Sequence, residues 1–106
     1  MQIQVNSDNT SKIGATTVSD TEERIRERLS RFSERLTRVE VHLRDLDGSD
    51  TVTSEGLEAT LEARPAGQQP LAVSHRAENV SEAVNGALSK LTSRLESSFG
   101  KADRVR

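Results

Sequence analysis

Leu57, Ala59, Leu61 and Ala63 alternate without a break with Glu58, Thr60, Glu62 and Arg64. A strand points successive side chains to opposite faces, so this alternation makes one buried face and one wet face. The strand has to stop at Pro65 or shortly before, because proline removes a ladder donor. Val39, Val41 and Leu43 alternate in the same way with Glu40, His42 and Arg44. Shorter versions occupy Gln2 to Asn6, with Ile3 and Val5 on one side, and about Leu71 to His75, with Leu71 and Val73 on one side. Four strands that each hide one face require a sheet covered on that face alone, and the cover has to be amphipathic.

Two segments have the period of a helix. Ser19 and Glu22 have the spacing of a capping box, and Ile25, Leu29, Phe32 and Leu36 follow as an apolar stripe, predicting a first helix that runs to Leu36. Asn79 can cap a second helix, helped by Glu82, with Val80, Val84, Ala87, Leu88, Leu91 and Leu95 as its apolar face. Phe99 closes that face and Gly100 ends the helix. Ser7 to Val18, Asp45 to Gly56 and Pro65 to Pro70 read as loops, being rich in residues that compete for backbone hydrogen bonds or break strands.

The expected order is β-α-β-β-β-α. This is an α+β fold with a four-stranded mixed sheet and two helices on one face. The first two strands flank a helix and pair in parallel through a right-handed connection, and the later three form an antiparallel meander. At 106 residues the chain has the size of one domain, with the core expected over residues 1–100 and a basic C-terminal tail over 101–106. Hydrophobic residues are 32% and the only aromatics are Phe32 and Phe99, so the core is thin and built from Leu, Val, Ile and Ala. There is no cysteine, which removes disulfides, zinc knuckles and thiol nucleophiles. No run approaches the roughly 18 apolar residues of a membrane span, and the N-terminus lacks a signal-peptide pattern. A cytoplasmic protein is expected.

The charge is unevenly distributed. Arg24, Arg28, Arg31, Arg35 and Arg38 step by four, three, four and three residues, and on a continuous helix they would fall inside an arc of roughly 80°. Lys90, Arg94 and Lys101 form a weaker stripe, within about 40°, on the second helix. In a chain of net charge −2 this segregation points to a polyanionic partner, since Arg and Lys on two such rails can reach the phosphates of a nucleic acid. The competing reading is ordinary helix surface, with Glu27–Arg31 and Glu34–Arg38 at pair spacing.

Catalytic chemistry finds little support. His42 is expected on the open sheet face and His75 near a strand end, neither with a second metal-ligand type at a suitable spacing. Glu40, Glu58 and Glu62 share the open face and are expected to pair with Arg44, Arg64 and Arg76 across strands. The six glycines form neither a dinucleotide fingerprint nor a P-loop. No enzyme, cofactor, metal site or small-molecule substrate is expected.

The element order and several segments together resemble the ribosome hibernation promoting factor family, which includes the ribosome-associated inhibitor and the sigma modulation proteins. The segments are the opening Met1 to Ser7, Arg28 to Phe32, Arg38 to Leu43, and Asn79 to Val84 with Ser89 to Leu91. The chain is similar to the short form, without the long form's C-terminal dimerisation domain. The resemblance implies a fold akin to double-stranded RNA-binding domains. It also implies binding to rRNA in the small subunit's decoding channel, where the factor would occlude mRNA and tRNA. By position, Arg28, Arg31 and Lys90 match basic sites of the family, whereas two others fall on Ser93 and Ser97, with Arg94 beside the first. Arg24, Arg35, Arg38 and Lys101 rest on spacing alone. The expected protein is a ribosome-binding translation inhibitor, monomeric off the ribosome. The alternative is a protein-interaction module using the open sheet face or an edge strand such as Gln2 to Asn6.

Overall fold

The alternating segments do become strands. The structure, a computed structural model, describes residues 1–7, 15–46 and 56–104. In chain order the elements are β1 (Gln2–Ser7), α1 (Ala15–Arg28), a 3-10 turn (Ser30–Phe32), β2 (Leu36–Asp45), β3 (Leu57–Pro65), β4 (Leu71–Ala77) and α2 (Val80–Arg104). The strands form one sheet in the order β1-β2-β3-β4, with β1 parallel to β2 and the other pairs antiparallel. Val39, Val41, Leu43, Leu57, Ala59, Leu61, Ala63, Val73 and Ala77 are buried and point to one side. There they join Ile25 of α1, Leu29 just past its end and the inward residues of α2 in a single core. Both helices therefore lie on one face, as the alternation requires.

Several boundaries differ from the sequence reading. Helix α1 begins at Ala15, inside the expected Ser7–Val18 loop, so Ser19 sits within the helix and is not its cap. It ends at Arg28 and does not reach Leu36. Past it the backbone tightens into i to i+3 bonds: Phe32 N–H to Leu29 O at 2.9 Å, Ser33 N–H to Ser30 O at 3.1 Å and Arg35 N–H to Phe32 O at 2.9 Å. Leu29, Phe32 and Leu36 stay buried because three- and four-residue steps return to the same side in either helix type. Strand β2 then starts at Leu36. A register shift between Leu36 and Arg38 lets both Leu36 and Val39 face the core despite their odd spacing. At the other end β4 continues past His75 to Ala77, and α2 passes through Gly100 to Arg104, so a tail beginning at residue 101 is replaced by helix. Most of the Asp45–Gly56 loop reading lies outside the described residues.

The second helix starts as expected. The Asn79 side-chain oxygen accepts from the Glu82 N–H at 2.9 Å, which satisfies one of the otherwise unpaired donors of the first turn.

His75 departs from the sequence reading in its surroundings. It lies on the helix-covered side of β4, half-buried, against Gly86 of α2. A Cβ at position 86 would lie 2.1 Å from the imidazole Cδ2, so glycine is required by the close approach of ring and helix. Gly86→Ala is expected to destabilise the fold, because overpacking of about 1–3 kcal/mol outweighs a helix-propensity gain of roughly 1 kcal/mol. With His75→Ala already present, the same exchange should become stabilising. Urea denaturation of the four variants checks the reversal of sign, and a glycine-to-alanine cost that persists without the imidazole contradicts it.

Candidate nucleic-acid interface

The arginine stripe does not lie on one helix. Arg24 and Arg28 are on α1, Arg31 is in the 3-10 turn, Arg35 follows it, and Arg38 has entered β2. The first four remain on the helical side of the molecule, and Arg24, Arg31 and Arg35 contact α2. Arg24 donates to Ser81 Oγ at 2.7 Å and to Asn85 Oδ1 at 3.4 Å, which ties the two helices together near the start of α2. One turn further along α1, Arg28 is exposed, with no hydrogen bond or ion pair among the described residues. Arg31 pairs with Glu96 of α2 and lies over the Phe32 ring at 4.6 Å. Arg35 lies over the Phe99 ring at 3.8 Å.

The two rings are themselves in contact, with centroids 5.5 Å apart and planes tilted by 38°. The chain's two aromatics thus form a platform where the 3-10 turn meets the C-terminal half of α2, and each carries one guanidinium. A guanidinium lying over a ring is held in fewer conformations, so it loses less freedom when it binds a phosphate. Arg31 remains 56% exposed by its side chain, so the ion pair with Glu96 leaves it open to solvent and screened.

Arg38 is the correction within the set. Its alternation with Val39 puts it on the uncovered face of the sheet, where it pairs with Glu40 at 2.7 Å and with Gln4. It belongs to the polar network of that face and not to the helical rail. The same network contains Arg76–Glu58 at 3.1 Å, Arg64–Glu62 at 2.9 Å, Arg44–Glu58 at 3.7 Å and Thr60–Ser74 at 3.0 Å. The expected Glu–Arg pairing of the open face is therefore present, although Arg64 reaches along its own strand and not across. His42 lies there too, 3.7 Å from Glu40.

The second rail is on the other flank of α2. Lys90 Nζ donates to Ser74 O at 2.8 Å and Arg94 donates to Ala72 O at 3.0 Å, both carbonyls of the sheet-edge strand β4. The two stripes share the helical layer but border α2 on opposite sides. Exposed Ser89, Ser93 and Ser97 lie between them. Lys101, further along, is exposed and without a hydrogen bond or ion pair among the described residues. Ser81, Asn85 and Glu96, which hold Arg24 and Arg31, were not singled out by sequence reasoning. Their i, i+4 and i+15 spacing places them on one side of α2, but pairing with α1 becomes visible only once the helices are packed. No group of three or more His, Cys, Asp or Glu among the described residues could hold a metal ion.

Residues 3–102 match the family described as sigma 54 modulation protein / S30EA ribosomal protein. The chain belongs to that family. Its members are ribosome-associated modulation factors, not a family of enzymes. Solved structures share the fold, among them two that span nearly the whole chain. One is a ribosomal subunit interface protein from Coxiella burnetii, with a TM-score of 0.71 and 13% identity over 94% of this chain and 99% of that one. The other is the N-terminal domain of Protein Y from Thermus thermophilus, with a TM-score of 0.63 and 17% identity over 91% and 97%. Comparison with curated proteins finds no match. No helix among the described residues is long and apolar enough to cross a membrane.

Proposed function

We propose that this protein is a cytoplasmic hibernation factor that binds rRNA in the decoding channel of the small ribosomal subunit and silences translation by occluding mRNA and tRNA. The observation that carries the proposal is the cluster of Arg28, Arg31 and Arg35, two of them stacked on the Phe32–Phe99 platform, in a chain of the S30EA family. Arg28 and Lys101 offer charge already exposed to solvent. Lys90 and Arg94 each engage a β4 carbonyl with one N–H and keep further donors for phosphate. Arg24 is chiefly a tie between helices, and Arg38 faces away. The role needs no bond made or broken, only a folded domain of the right charge in the channel, and the protein is monomeric when free.

Co-sedimentation with purified small subunits across a salt series tests this reading. Four phosphate contacts give a log-log slope of about −3, so affinity should fall roughly 50- to 100-fold between 50 and 200 mM salt. Binding that is absent at low salt, or indifferent to salt, contradicts it.

A further inference from the structure

Among the described residues no strand pairs with the outer edge of β4, and side chains hold it where a neighbouring strand would otherwise be. Ala72 O and Ser74 O point away from β3 and accept from Arg94 and Lys90. Side-chain donors on long flexible stems are replaceable by the backbone N–H groups of an added strand. Beside this edge runs a groove of about 620 Å³, with Ser89 and Ser93 of α2 opposite Val73 and with Lys90 and Arg94 lying over it. We infer that the β4 edge and this groove bind an extended acidic segment of a partner protein, which adds as a fifth strand with carboxylates at alternate positions facing Lys90 and Arg94.

The register follows from the geometry present. In an antiparallel sheet a residue's N–H and C=O point the same way, so Ala72 and Ser74 present both groups to the free edge. An incoming residue opposite Ser74 turns its side chain to the open face, beside the Thr60–Ser74 hydroxyl pair. The residues on either side of it turn toward α2, two positions and about 6.7 Å apart. Lys90 and Arg94, four positions apart on a helix, are separated by about 6 Å of rise. That match already lets them reach carbonyls two residues apart on β4. Once backbone N–H groups replace them there, both cations are released beside two carboxylates. Within the groove residues themselves the ionisable groups are both cationic, so the charge complement of the site is acidic.

The probe is an end-blocked, fluorescent heptapeptide alternating Thr and Glu, starting and ending with Thr, read by polarisation and by amide hydrogen exchange. The intact protein is expected to bind it, with slowed exchange at Ser74, and to ignore the same peptide with Lys in place of Glu. Lys90→Glu with Arg94→Glu, both exposed positions, should weaken binding about tenfold or more. Ser74→Pro, which removes an edge donor and no sheet bond, should abolish it. Because that variant also changes the strand, the companion test leaves the protein intact: N-methylation of the peptide's Thr amides should abolish binding with charge unchanged. No binding, equal binding of the Lys peptide, or binding that survives N-methylation overturns the inference. None of these readouts involves RNA, so the outcome is independent of ribosome binding.

Discussion

Exchanging Leu61 for alanine is expected to lower the stability of this protein by about 2–5 kcal/mol, and a neighbouring Thr60→Ala exchange by less than roughly 1 kcal/mol. Leu61 is fully buried in the central strand β3, opposite Val41 of β2 and Val73 of β4 on the face that both helices cover. Thr60, one residue earlier, points to the uncovered face and shares a hydroxyl contact with Ser74. The difference between adjacent residues is the energetic form of a one-sided sheet. It is a large share of the roughly 5–15 kcal/mol that holds a domain of this size. In urea, with a slope of about 1–3 kcal/mol per molar, Leu61→Ala should move the midpoint by roughly 1–3 M. Equal effects at the two positions are inconsistent with the burial pattern.

The second large effect concerns binding. Arg28→Glu combined with Arg31→Glu is expected to weaken association with the small subunit by at least about 100-fold at low salt, and to reduce the magnitude of the salt slope by about 2. Reversal removes two cations and places two anions beside the phosphates they would face. The same double reversal at Arg38 and Arg64, on the open sheet face, is expected to change affinity far less, because those cations lie on the other side of the sheet. Stability should not confuse the comparison. Arg28 is unpaired among the described residues, and Arg31 makes a half-exposed ion pair with Glu96 and an exposed contact with the Phe32 ring, each worth at most about 1 kcal/mol. Equal loss from the two faces sinks the assignment of the site.

The sheet was legible in the sequence because a period of two has one structural meaning when one face is apolar. Leu57 to Arg64 could only be a half-covered strand, and the Asn79 cap with its apolar stripe could only start α2 in that register. The arginine stripe misled because steps of three and four are shared by two helix types and, for Arg38, by the first residues of a strand. The helix ended at Arg28 and gave way to the 3-10 turn, and Thr37, Val39 and Val41, which favour extended backbone, put the following residues into β2. The Arg38 side chain crossed to the other face as a result. The placement of Arg35 over Phe99 was not legible, since it joins residues far apart in the chain, and that of Arg31 over its neighbour Phe32 depends on the 3-10 turn. The same holds for His75 and Gly86. Each was visible as an isolated residue, while their contact depends on how closely α2 lies on β4.

The central claim is that the arginine-bearing helical side, and not the open sheet face, meets rRNA of the small subunit. The chain has no cysteine, so one introduced cysteine accepts a hydroxyl-radical probe at a single position. Ser30→Cys puts the probe between Arg28 and Arg31, and His42→Cys puts it on the open face, both at exposed positions. Strand cuts in decoding-channel rRNA are expected from the probe at position 30, stronger than any from position 42. Cuts only from position 42, or none from position 30 in a complex that still sediments, would contradict that claim.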